Sequence, residues 1–90
     1  MSSLPDADRR RRMTDMLAAH LWDLRAQAEA KLRCLTRLQQ QLADYDAARS
    51  ERDRKEKHQH ILRDLTDIVT ISKALHDVAV RAMEEAIGLA

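Results

Sequence analysis

The 90-residue sequence contains few of the residues that build sheets and turns. It has one Gly, one Pro, one Trp, one Tyr and no Phe. Sheets use aromatic and β-branched residues and most turns use Gly or Pro, whereas long helices need none of these. We therefore predict an all-α fold formed by one small domain that spans residues 1–90.

Cysteine and long apolar runs are also scarce. The single Cys34 has no intramolecular disulfide partner, and Asp6, Asp8 and Arg9 stand where a signal peptide needs an apolar run. The longest uncharged runs fall far short of the roughly 18 apolar residues that a membrane span requires. These features predict a soluble protein with no membrane span, in a reducing, cytoplasmic setting.

No excess of charge of one sign is present, since 16 basic and 15 acidic residues give a net charge of +1. The exception is one run of four arginines: Arg9, Arg10, Arg11 and Arg12. Consecutive residues of a helix point in different directions, so this run forms a basic collar rather than a stripe along one groove. We interpret the collar as solvated or internally paired, with an acidic protein, nucleic acid or anionic lipid as alternative contacts.

Apolar residues recur at alternating spacings of four and three in two segments. The first repeat runs from Leu17 to Tyr45, and the second from Ile61 to Ala86. This heptad pattern predicts two long helices, at about residues 5–47 and 51–87. The middle of each stripe, at Leu35 and Leu65, is predicted to be core.

The segment between the two repeats has no large apolar residue and decides the shape of the molecule. The pairing of Glu51 with Lys55, and the absence of Gly and Pro, would permit one continuous helix. A turn near residues 48–52 instead allows Ser50 to cap the second helix. It also brings residues whose numbers add to about 100 face to face, with large side chains opposite large ones. We therefore predict an antiparallel helical hairpin.

The second helix has more apolar residues than one seam can bury. Four of them flank its predicted stripe: Leu62, Val69, Ile71 and Val78. An exposed apolar strip of this length marks an interface, unless the twist of the hairpin covers part of it. We predict that the strip binds a protein. The partner is either a second copy, giving a four-helix bundle, or an amphipathic helix of another chain.

No side-chain pattern indicates catalysis or a cofactor. His58 and His60 are two residues apart and so lie on different faces of a helix, with no second cluster to complete a metal site. No triad or pair of catalytic carboxylates is organised. We predict a non-enzymatic adaptor, co-chaperone or inhibitor without cofactor, metal or small-molecule substrate. The alternative function is a small nucleic-acid-associated dimer that uses the Arg9–Arg12 collar.

The segment LRAQAEAKLRCLTRL, Leu24–Leu38, superficially resembles the first helix of the helical chorismate mutases, which are intertwined dimers of similar length. The sequence departs from that family's pattern at Lys31, Leu32 and Leu42, and no third helix or polar pocket follows. The activity of that family is therefore not expected. In length and periodicity the chain is also similar to the helical-hairpin co-chaperones of type III secretion systems.

Overall fold

The computed structural model of the protein describes residues 6–89, which form an antiparallel helical hairpin. Helix α1 comprises Asp6–Ala47 and helix α2 comprises Glu51–Leu89. They pack against each other in a rod with extents of 73 × 15 × 11 Å. The predicted all-α hairpin is thereby confirmed. The predicted first position of helix one, Pro5, lies outside the described residues, and α2 continues past its predicted end at residue 87.

The turn at residues 48–50 is closed by three short hydrogen bonds. The backbone N–H of Ala48 donates to the carbonyl oxygen of Tyr45 at 3.2 Å. The N–H groups of Asp53 and Arg54 donate to the side-chain and carbonyl oxygens of Ser50, at 3.1 and 3.0 Å. Ser50 therefore caps α2 as predicted, because its side chain satisfies an N–H group that the helix start leaves without a partner.

The contact between the helices is rotated by about half of the angle between consecutive residues, toward the residue that precedes each predicted core leucine. Cys34 is 4% exposed, whereas its neighbour Leu35 is 43% exposed. In α2, Asp64 is 6% exposed, whereas Leu65 is 42% exposed. The prediction that Leu35 and Leu65 are core residues is therefore wrong.

The buried residues of this seam have small or polar side chains, whereas larger seam residues such as Leu38, Ile71 and Leu75 are half-buried. The third buried residue, in addition to Cys34 and Asp64, is Ala82. Farther along α1 the same rotation recurs, since Gln41 is half-buried and Leu42 is exposed. Each helix can press only one stripe against its single neighbour, so the leucines beside the seam lie on its flank. Within residues 6–89, no large side chain is fully buried.

One arginine joins the two helices at mid-seam. Arg37 of α1 lies 3.7 Å from one carboxylate oxygen of Asp64 and 3.6 Å from a carboxylate oxygen of Asp67. It also donates to the sulfur of Cys34 at 3.1 Å. The second oxygen of Asp64 and the side-chain oxygen of Gln41 are buried without a hydrogen-bond partner. Within residues 6–89, Arg37 is the one cationic side chain that lies within 4 Å of the buried Asp64 carboxylate.

A second polar contact lies near the open end of the hairpin, where the His20 ring and the Glu85 carboxylate are 3.0 Å apart. The residue numbers add to 105 for this pair and to 101 for Arg37 and Asp64. The observed alignment thus lies close to the predicted register, although each helix is rotated about its own axis.

We expect spin labels at positions 35 and 65, in a chain with Cys34→Ala, to lie within about 20 Å of each other, because packed helix axes are about 8–10 Å apart. Pulsed dipolar spectroscopy measures this distance. Labelled protein is diluted with unlabelled protein, so that only distances within one chain contribute. A separation of about 45 Å, the rise of thirty residues in one continuous helix, would contradict the hairpin.

We expect Arg37→Ala to lower the free energy of unfolding by about 1–3 kcal/mol, because it leaves Asp64 buried without a compensating charge. The figure is at the low end for ionic contacts because the Arg37 side chain is 57% exposed. Urea unfolding at one fixed protein concentration measures the loss. A second substitution, Asp64→Leu, should restore most of the stability, since it removes the uncompensated charge.

Arg33→Ala is the matched control, because Arg33 is exposed on the same helix and should change stability by less than about 0.5 kcal/mol. Failure of Asp64→Leu to rescue Arg37→Ala would show that the arginine acts through its packing rather than through its charge.

Candidate protein-interaction surface

Large apolar side chains are exposed on both helices rather than on α2 alone. Nine of the twelve lie on one side of the hairpin, between the seam and its outer edges, and are here named the apolar face: Leu17, Leu21, Leu32, Leu35, Leu42, Leu62, Leu65, Val69 and Met83. Trp22, Tyr45 and Ile87 are also exposed and are not counted in this face. Each of the nine is at least 42% exposed. A soluble monomer rarely exposes a contiguous apolar patch of this extent.

These residues share one side because of the symmetry of antiparallel helices. A rotation of 180° about an axis perpendicular to the plane of the two helix axes exchanges such helices. Residues on one side of that plane stay on the same side after the rotation. Leu35 follows the seam residue Cys34, and Leu65 follows the seam residue Asp64, so both lie on the same side.

Two shallow depressions between the helices support this arrangement. One is lined by Leu17, Leu21 and Leu24 of α1 together with Ala82 of α2, so α1 leucines of the apolar face border the second helix. The other contains Arg37 and lies on the opposite side. The hairpin as a whole is therefore amphipathic across its thin dimension.

The opposite side of the hairpin carries charge. Its outward positions are mainly ionic and are here named the polar face: Asp23, Arg33, Arg37, Arg63, Asp67, Asp77 and Arg81. The ion pair between Arg37 and Asp67 joins the helices on this side. Each of these two residues is three positions after its seam residue, so the same symmetry places them together.

The structure divides the four predicted interface residues into two pairs. Leu62 and Val69 are exposed, by 44% and 68%, and belong to the apolar face. Ile71 and Val78 are half-buried and lie along the seam. The expectation that they flank the seam is corrected by the same rotation of the helix that buries Asp64.

The α1 leucines of the apolar face were missed from the sequence because their stripe was assigned to the seam. The sequence nevertheless contains a sign that α1 has more than one apolar stripe. The α1 segment has Gln27, Lys31 and Gln41 interspersed among its leucines, so its apolar residues form two partial stripes rather than one complete stripe.

The Arg9–Arg12 collar lies in the first turns of α1, and Arg10, Arg11 and Arg12 are exposed while Arg9 is half-buried. In residues 6–89, no ion pair joins these arginines to Glu84 or Glu85. Glu85 instead contacts His20. The internal pairing expected at this end therefore involves a histidine rather than the collar.

The other polar side chains are dispersed. His58 is exposed, whereas His60 is half-buried in the depression that contains Arg37 and Asp64. In the part of the chain that the structure describes, no three His, Cys, Asp or Glu side chains are grouped as metal ligands. Neither described helix is long and apolar enough to cross a bilayer.

Comparison with known proteins identifies no relative of the chain. Nothing matches the chain among protein-family models, curated proteins or solved structures. The candidate site is therefore defined by its geometry, as an apolar face to which both helices contribute.

Proposed function

We propose that this chain is a non-enzymatic protein-interaction module that binds another polypeptide through the apolar face. The observation that carries the proposal is the exposure of nine large apolar side chains on one side of the hairpin. Covering their exposed portions is worth on the order of 10 kcal/mol, since a fully buried side chain contributes about 1.5–3 kcal/mol.

The total surface of the chain also favours an assembly. The chain exposes 7150 Å², whereas a compact monomer of its mass, 10.4 kDa, exposes about 5,400 Å². Such a rod has little interior of its own, and the net stability of a small domain is only about 5–15 kcal/mol. A partner on the apolar face would supply a core of comparable energy. An adaptor, a co-chaperone or an inhibitor would each use such a face.

The alternative function, binding of nucleic acid through the Arg9–Arg12 collar, rests on three exposed arginines at one end of the rod. These side chains point in different directions around α1, so few of them would reach one phosphate backbone at once. Salt-sensitive retention on heparin that disappears when the four arginines are replaced would favour this alternative.

We expect Val69→Glu to abolish association while leaving most of the helix content, because a charge inside an apolar interface is costly and the position contributes little to the seam. Thr70→Glu is the matched control, since Thr70 is the next residue, is exposed and lies outside the apolar face. Circular dichroism measures helix content. Sedimentation velocity measures the mass of the species recovered from the native host with and without each substitution.

The proposal fails if the wild-type chain sediments alone as a monomer and neither substitution changes its association or stability. It also fails if Thr70→Glu is as disruptive as Val69→Glu, because the effect would then not be specific to the face.

A further inference from the structure

We propose that the occupant of the apolar face is a second copy of this chain, so that two hairpins stack face to face as a four-helix bundle. This inference rests on the proposed function and specifies its partner. It follows from the direction, the area and the charge of the face, and each of these observations is independent of the others.

The apolar arcs of both helices are displaced from the seam toward the same side of the hairpin. Around α1, the centre of the seam lies between Cys34 and Leu38, and the centre of the leucine stripe lies between Leu38 and Leu35. These two directions differ by about 50° at about 100° per residue.

In a square four-helix bundle, the direction from a helix to the common core lies about 45° from the direction to its neighbour. The apolar arc of α2 is wide and is displaced toward the same side. It extends from Ile71 in the seam to Val69 on the outer edge. The arcs of both helices therefore turn toward the side on which a second hairpin would stack.

The area of the apolar face matches a stable dimer. The stretch from Leu17 to Leu42 is about 38 Å long at 1.5 Å per residue. Two adjacent helices are about 20 Å wide. The face then covers about 750 Å² on each copy, or about 1,500 Å² in total, which is the usual size of a specific protein interface.

The charges at the helix ends make the hairpin complementary to itself. The first turns of α1, residues 6–15, contain four basic and three acidic residues, and residues 51–57 at the start of α2 contain the same numbers. The last turns are acidic, with Asp44 and Asp46 in α1 and Glu84 and Glu85 in α2. Antiparallel neighbours therefore place opposite net charges beside each other, whereas parallel neighbours would place like charges together.

Stacking two hairpins face to face about a two-fold axis makes every adjacent pair of helices antiparallel. This holds whether the two turns lie at the same end or at opposite ends of the bundle. A second copy thus provides the required charge order by symmetry, while an unrelated helix would have to match it independently.

The test is sedimentation equilibrium of the purified chain between about 1 and 100 µM, a range in which an interface of this size should associate. We expect a mass about twice 10.4 kDa. Leu35→Glu and Val69→Glu, one on each helix, should each weaken association by at least about 100-fold. Thr36→Glu and Thr70→Glu are the matched controls, because each threonine is exposed, follows the substituted residue and should leave the dimer intact.

A measurement without substitutions guards against variants that fail to fold. Because association stabilises the folded state by mass action, the melting temperature of the wild-type chain should rise with protein concentration. A mass of one chain throughout the range, with a melting temperature independent of concentration, would overturn the dimer.

The same experiments separate this inference from the proposed function. If the wild-type chain is a monomer and Val69→Glu prevents recovery of a different protein from the host, the second copy is excluded and the interaction module stands. If the chain is a monomer and Val69→Glu changes neither recovery nor stability, both proposals fail.

Discussion

A helix packed against a single neighbour can bury one stripe of its surface, and this limit governs the whole molecule. Both helices have apolar arcs wider than one stripe, so the hairpin cannot cover all of its large side chains at once. The slender rod, the absence of a fully buried large residue among residues 6–89 and the nine exposed side chains of the apolar face are consequences of this limit.

The composition of the seam determines which residues are left outside. Cys34, Asp64 and Ala82 lie at the closest approach, and Arg37 spans the helices on the polar face. A buried carboxylate with one unpartnered oxygen adds little stability, because removing charge from water is costly. The contact between Arg37 and Asp64 does favour one axial alignment of the helices, because sliding one helix along the other would separate these two side chains. The alignment is thus favoured by a polar contact, while the leucines of the apolar face remain exposed.

Local signals in the sequence were sufficient for the fold. The heptad spacing predicted both helices, and the Ser50 cap with the polar segment after it predicted the reversal. The rotation of each helix was not predictable in this way. A stripe through Leu35 and Leu38 has the same three-and-four spacing as a stripe through Cys34 and Leu38, and spacing alone does not distinguish them. The choice depends on which surfaces meet across the whole length of the hairpin, a long-range property.

The candidate site was predictable in part for the same reason. Leu62 and Val69 were identified because the apolar arc of α2 is too wide for one seam, and that argument does not depend on the exact rotation. The exposed leucines of α1 were missed because the whole apolar arc of α1 was assumed to be buried in the seam. An apolar arc that is too wide for one seam therefore predicts an exposed apolar face without any choice of heptad register.

The exposed leucines also have a consequence for the life of the protein in a cell. Chaperones and proteases recognise accessible apolar segments, and small losses of stability are enough to change steady-state abundance several-fold. A single copy displays such segments along both helices, whereas a copy in the proposed assembly would hide them. Surplus copies would then be removed first, so the amount of the protein would follow the amount of completed assembly rather than its rate of synthesis.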